Sequence, residues 1–358
     1  MAKKALTLVF KIVLPLAILA YLVWNAQRED AFTDLIRQPK NWPLLALALL
    51  SCSTAVMLTM IRWRYLVRAL DIPFTVREAL RFGFLGYLFN LAPMGIVGGD
   101  LLKAYLLAQH HPSKKTAAVA SVFVDRIIGL YALFVVASAA ILLTGFAATG
   151  NEWVRWICRV THTITIVGTA GMIAVLMPDL SRGGSTRLLA KTPLIGPTLE
   201  KVLLALAMYR RRWPVVVGAS LMSVAVHSFF SIGIFLICSA LYQTVPALRM
   251  HFVISPLSAA LGVIPLPAGP LEGGLDWLYA QVPAASGAAI ALGQGLVVAL
   301  TYRTITVVIA TVGFGYYLGS REEVSEAIHE VDEVTHTPLP DHYSVVDDEG
   351  PSLAEPAA

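Results

Sequence analysis

Long runs without charge alternate along the chain with short segments rich in arginine and lysine. About 20 apolar residues are needed for a helix to cross a bilayer, so these runs predict membrane-spanning helices. The sequence predicts six full spans, at 5–24, 42–61, 127–150, 160–178, within 214–248 and around Arg303.

Two other apolar segments, 82–97 and 252–271, are interrupted by glycine and proline. Non-helical backbone is tolerated at membrane depth where protein buries it or where it lines a wet cavity. We therefore predict an all-α polytopic membrane protein with six full spans and two re-entrant segments. Eight full spans is the alternative count.

Composition supports a membrane protein and argues against a soluble one. Hydrophobic residues make up 57% of the chain and charged residues 14%, whereas a soluble domain is about 25% charged. The three cysteines match no metal, redox or disulfide spacing. No soluble catalytic motif is present, so we expect no cofactor, no metal, no nucleic-acid partner and a transporter rather than an enzyme.

Charge divides the chain into a predicted transmembrane domain, 1–320, and an acidic tail, 321–358. The domain carries 26 basic and 12 acidic residues, and the tail carries 11 acidic residues and one arginine. We expect the tail to begin as a short extension of the last helix and then to be disordered. The lysine and arginine bias predicts that both termini are cytoplasmic, with anionic lipids at the cytoplasmic face of the membrane.

The two broken segments resemble each other. Both fit Pro-x-Gly-x-x-[Gly/Glu]-Gly-[Asp/Gly], at 93–100 and 267–274, and each precedes a helix with an arginine inside it. Paired Gly/Pro-interrupted segments in two halves of a chain indicate a transporter's substrate site. We predict an inverted repeat with one copy near each face of the membrane.

The candidate substrate site combines these segments with the charges nearby. Helix amides at a break bind anions, glycines admit a bulky headgroup, and the arginine fork matches phosphate. The predicted site residues are Asn90, Pro93, Gly95, Gly98, Gly99, Asp100, Lys103, Asp125, Arg126, Pro267, Gly269, Glu272, Gly273 and Arg303.

Several of these charges have more than one interpretation. Arg303 is either a phosphate clamp, a partner of Glu272 or Asp276, or a side chain that snorkels to the interface. Adjacent helix residues point in different directions, so Asp125 and Arg126 are not expected to pair with each other. That pair lies either at the membrane edge or about two turns inside a helix. Asp100 and Lys103 cap a helix or line the mouth of the site.

The ordered set of motifs resembles the lysylphosphatidylglycerol synthase transmembrane (flippase-like) family over about residues 5–320. The matching residues are Arg62-x-Arg64, Asn90-x-x-Pro93-x-Gly95-x-x-Gly98-Gly99-Asp100-x-x-Lys103, Asp125-Arg126, Pro265-x-Pro267-x-Gly269-x-x-Glu272 and Arg303. The resemblance implies lipid translocation across an inner membrane. The aminoacyl-transferase domain of fused members has no counterpart in this sequence, so synthase activity is not expected.

Three functions follow as hypotheses. The first is a flippase that moves a charged phospholipid, glycophospholipid or polyprenyl-linked headgroup. The second is a membrane enzyme or accessory subunit of lipid-linked sugar or aminoacyl-lipid synthesis, with a glycosyltransferase or synthase as partner and Asp100 or Glu272 as its acid or base. The third is a scaffold whose acidic tail docks a cytoplasmic protein.

Overall fold

The computed structural model describes residues 20, 21, 24, 39–91, 98–149, 151–176, 204–264, 268–291 and 293–336. Within these ranges the regular structure is helical, without β-strands. Five helices are long and apolar enough to cross a membrane. They are α1 (Trp42–Ala69), α4 (Lys115–Thr144), α5 (Glu152–Leu176), α6 (Trp213–Leu241) and α9 (Gln294–Leu318).

These helices confirm the all-α polytopic class and five of the six predicted spans. The other prediction, 5–24, lies outside the described residues except for positions 20, 21 and 24. Two helices run further than their uncharged cores. Helix α1 continues through Arg62 to Ala69, and α4 begins at Lys115, directly after a 3₁₀ turn at Pro112–Lys114. Arg62 and Arg126 therefore lie inside long helices.

Four shorter helices contain or flank the broken segments. They are α2 (Val76–Leu91), α3 (Gly99–His110), α7 (Leu248–Ala260) and α8 (Pro270–Ala280). Each falls short of the roughly 20 residues that a full crossing requires. The alternative count of eight spans needs one more full span in each of these two regions. Among the described residues, neither 69–115 nor 241–294 contains one.

The long helices pack closely because small residues lie where they meet. Ser51 on α1 donates to the carbonyl of Phe229 on α6 at 2.7 Å. A Cβ on Gly233 of α6 would come within 2.6 Å of the Cys52 sulfur. Helix α9 packs against α2 at Gly313, where a Cβ would collide with the α2 backbone. The helices α1, α2, α4, α5, α6, α7, α8 and α9 together contribute to one apolar cluster.

The acidic tail begins with a separate helix, α10 (Arg321–His336), where the sequence predicts a short extension of the last helix followed by disorder. Its Val324 and Ala327 are fully buried in an apolar cluster with residues of α1, α2, α3 and α4. Glu323 pairs with Arg81 of α2, and Tyr105 of α3 donates to Glu330. The tail helix therefore covers the apolar side of the α2–α3 pair; residues 337–358 lie outside the described residues.

Replacing Val324 with aspartate is expected to detach α10 from the α2–α3 pair. Burial of a valine side chain contributes about 1.5–3 kcal/mol, and every 1.4 kcal/mol changes an equilibrium about tenfold. Limited proteolysis of the detergent-solubilised protein should therefore cut near residue 321 at least about ten times faster. Ser325→Asp is the matched control because Ser325 is exposed. Equal cutting rates for the two variants would contradict the burial of α10.

Candidate functional site

The first broken segment ends in a capped helix start. The Asn90 side chain at the end of α2 accepts a hydrogen bond from the Gly99 amide at 2.9 Å. The amides of Leu101 and Leu102 both bond the Gly98 carbonyl. These three amides already have acceptors, so they contribute less to anion binding than the sequence suggests. Any anion site here depends chiefly on side chains.

Three of the predicted residues form a charged cluster beside this helix start. Arg126 of α4 binds both carboxylate oxygens of Asp100, with its Nη2 2.7 Å from Oδ1. Lys103 Nζ lies 3.1 Å from the same oxygen and 5.0 Å from the ring of Trp63. Burial opposes ionisation of Asp100, but Lys103 and Arg126 outweigh it and lower the pKa of that carboxyl. The cluster therefore carries one net positive charge.

Exposure distinguishes the members of this first cluster. The Arg126 side chain is 55% exposed, whereas that of Lys103 is 11% exposed. Arg126 also lies eleven residues after the first residue of α4, or about 16 Å along the helix. The helix therefore begins before Arg126, which is the condition on which the embedded interpretation of Arg126 rests. Charged side chains within spans are rare and almost always face the interior of the helix bundle or a water-filled cavity.

The second broken segment has an equivalent pair. Glu272 Oε1 accepts from Nε and Nη2 of Arg303 at 3.0 and 2.5 Å. Its other oxygen, Oε2, accepts from the Gly269 amide at 2.7 Å. Gly269 has a φ of 107°, which favours glycine, and Pro270 begins α8 directly after it. Of the three interpretations of Arg303, the contact with Glu272 is the one observed, and Asp276 instead accepts from the Leu296 amide.

Burial separates the second pair from the first. The Glu272 side chain is 1% exposed and that of Arg303 is 34% exposed. Arg303 lies nine residues after the first residue of α9, or about 14 Å along the helix. Both arginines are therefore well inside their helices, and each binds the acid of the broken segment that precedes it.

Asp125 is not a member of the charged cluster of Asp100, Lys103 and Arg126. Its carboxylate binds Arg62 of α1, with Nε 2.8 Å from Oδ1 and Nη2 2.9 Å from Oδ2. Arg62 Nη1 also donates to Ser223 of α6 at 2.8 Å. As predicted, Asp125 and its neighbour Arg126 point toward different partners. From sequence, Arg62 is predicted to be one of the cytoplasmic charges that follow the second span. Its position in a continuous helix is the signal that could have placed it inside.

Gly99 and Gly295 allow helix backbones to meet beside the two pairs. A Cβ on Gly99 would lie 2.5 Å from the Gly86 carbonyl carbon, and one on Gly295 would lie 2.5 Å from the Asp276 Cα. From its sequence pattern, Gly99 is predicted to leave room for a headgroup. In the structure it instead leaves room for the backbone of α2. Gly98 directly precedes α3, Gly273 lies in the first turn of α8, and Pro93, Gly95 and Pro267 lie outside the described residues.

A groove between α1 and α9 is separate from both ion pairs. Its volume is about 620 Å³, and its lining contains no charged residue. The lining residues are Trp42, Leu45, Ala46, Leu49, Val297, Leu300, Thr301, Thr304, Ile305 and Val308. An apolar groove of this kind offers no group that would recognise a charged headgroup.

Comparison with protein families agrees with this arrangement of helices and motifs. The family model described as the lysylphosphatidylglycerol synthase transmembrane region matches residues 8–313. The chain belongs to this family. Comparisons with curated proteins and with solved structures gave no match. Family membership makes this a multi-pass membrane protein related to lipid biosynthesis or flippase-like function.

Proposed function

We propose that this family member translocates a phosphate-bearing lipid headgroup, binding it by exchange of ion pairs at Asp100–Arg126 and Glu272–Arg303. The observation that carries the proposal is the bidentate contact between the exposed Arg126 guanidinium and Asp100. Carboxylate and phosphate fit the same arginine fork. Asp100 therefore occupies the position that a phosphate oxygen pair would take.

Exchange of partners keeps the cost of binding low. A phosphate that displaces Asp100 replaces one charge-assisted contact with another, so Arg126 is not left without an anion. The released carboxylate stays next to Lys103, which lies 3.1 Å from it. Because the cluster has one net positive charge, it favours a headgroup with a net negative charge. The Glu272–Arg303 pair has no net charge, so it suits a headgroup that carries both a positive and a negative charge.

The paired architecture supports movement between two sites. The short helices α2–α3 and α7–α8 each precede a span whose arginine lies well inside the helix. We interpret them as re-entrant segments of an inverted repeat that enter from opposite faces, with the Asp100 copy on the cytoplasmic side. Placing arginine at a helix centre costs on the order of 2.5–3.5 kcal/mol, so keeping two of them supports a role in handling charge.

The ion pairs favour transport over the enzyme hypothesis. An acid or base catalyst must exchange a proton near the working pH. Both candidate carboxylates, Asp100 and Glu272, are instead held in ion pairs by hydrogen bonds from arginine. The membrane-enzyme hypothesis therefore has no specific support in the described residues.

Replacing Arg126 with glutamine is expected to slow headgroup translocation about tenfold to a hundredfold. A hydrogen bond to a charged group contributes about 1.5–3 kcal/mol, and the exposed position of Arg126 leaves the fold intact. The measurement is dithionite quenching of fluorescent lipid in proteoliposomes, with labelled phosphatidylglycerol, phosphatidylethanolamine and a polyprenyl phosphate as separate probes. The fastest probe of the unmodified protein is then used for the variant.

Arg212→Gln is the matched control. Arg212 is 52% exposed and forms a surface ion pair with Asp71, away from both broken segments. It should translocate at the rate of the unmodified protein. The proposal fails if no probe moves faster than in protein-free vesicles, or if Arg126→Gln matches Arg212→Gln.

A further inference from the structure

The structure contains a second layer of residues behind the first charged cluster. Arg62 and Asp125 are both 5% exposed, and every guanidinium nitrogen of Arg62 has an acceptor. The pair joins α1 to α4, and Ser223 extends it to α6. Buried ion pairs of this kind fix one relative arrangement of helices more than they add stability.

The side-chain hydrogen bonds between α4 and α1 fall on one face of α4. Ser121 accepts a hydrogen bond from the Trp63 ring at 3.2 Å, and Asp125 binds Arg62. A Cβ on Gly129 would lie 3.4 Å from the Arg62 guanidinium. These three positions are four residues apart and share a helix face. Together they set the rotation of α4 about its axis.

That rotation decides where Arg126 points. Arg126 follows Asp125 directly, so its side chain leaves the helix about 100° further round. With Asp125 held by Arg62, this direction brings Arg126 onto Asp100 of α3. The next residue of α1, Trp63, also contacts the cluster through its ring beneath Lys103.

We infer that Arg62 is a positioning residue of the headgroup site, which acts through Asp125 to aim Arg126 at Asp100. The inference rests on the proposed function and adds a residue that does not touch the cluster itself. The alternative is that Arg62 serves helix packing alone. An experiment can separate positioning from packing, because apolar residues of similar volume that replace a buried ion pair often leave a protein at least as stable.

The key variant is Arg62→Met combined with Asp125→Leu. Helix rotation is measured by placing cysteines at 100 and 126 in a chain whose Cys52, Cys158 and Cys238 are alanine, and by following the rate of a short thiol-specific crosslinker. We expect crosslinking to slow at least about fivefold while the unfolding temperature stays near that of the parent chain. Ser220→Ala, which removes a hydroxyl bonded to its own helix, is the control and should crosslink at the parent rate.

Translocation by the same double variant, with Asp100 and Arg126 retained, is expected to fall about tenfold. Unchanged crosslinking in the folded double variant overturns the positioning role. If it does not fold, the exchanged pair Arg62→Asp/Asp125→Arg replaces it, and restored crosslinking and translocation support the inference. Slower crosslinking in a protein that moves no lipid probe would support Arg62 as a positioning residue and reject the proposed function, so the two failures are distinguishable.

Discussion

Arg303→Leu is expected to lower the free energy of unfolding by about 3–5 kcal/mol, the cost of leaving a buried charge without its partner. The residue left behind is Glu272, 1% exposed, with the Gly269 amide as its remaining contact. That carboxyl must then stay charged in an apolar surrounding or take up a proton, and each route costs free energy. Denaturant unfolding in detergent micelles measures the loss.

The first copy of the motif provides the comparison. Arg126→Leu is expected to lower the free energy of unfolding by no more than about 1 kcal/mol, because both members of its pair are partly exposed. Adding Glu272→Leu to Arg303→Leu should recover much of the loss, since no buried charge remains. Equal losses at the two arginines would contradict the difference in burial.

Gly99→Ala is expected to destabilise the protein by about 1–3 kcal/mol or more, the range for forced overpacking. The new Cβ would lie 2.5 Å from the carbonyl carbon and 2.9 Å from the Cα of Gly86. Because this obstacle is backbone rather than a flexible side chain, α2 and α3 must separate. Separation also breaks the hydrogen bond from the Gly99 amide to Asn90.

The neighbouring glycine is the matched control for Gly99. A Cβ on Gly98 would meet Asn90 Oδ1 at 4.0 Å, and its φ of −68° suits any residue. Gly98→Ala should therefore change the free energy of unfolding by no more than about 0.5 kcal/mol. The same denaturant series tests both variants, and similar losses would show that the α2–α3 contact is looser than described.

Hydropathy was sufficient to predict the five spans within the described residues, because an apolar run has one stable solution in a bilayer. It could not predict where the helices end, because Arg62 and Asp125 interrupt the apolar runs but offset each other's charge inside the protein. Helix α1 therefore continues past Arg62, and α4 begins before Asp125. The partner of Arg62 lies 63 residues away, and a local pattern contains no information about so distant a contact. Arg62 was therefore grouped with the ordinary cytoplasmic charges.

The sequence was enough to predict which charged residues form the site, but not what each of them contacts. The recurring Pro/Gly pattern brought attention to Asp100, Glu272 and the two arginines, and all four lie in the observed ion pairs. The pattern did not reveal that Gly99 contacts a helix backbone, because a glycine that admits a ligand and one that admits a helix have the same sequence signature. Composition predicted a helix at the start of the tail but not its packing, because the contact of α10 with α3 depends on two buried residues in an acidic stretch.

The position of α10 also constrains the order of assembly during synthesis. Val324 follows Leu106, a member of the same apolar cluster, by 218 residues. At 5–20 residues per second, the ribosome delivers α10 roughly 10–40 s after α3. Throughout that interval the apolar side of α2–α3 has no tail helix to cover it, and insertion factors or lipid must shield it. Completion of this half of the site is therefore a late, post-insertion step in the biogenesis of the protein.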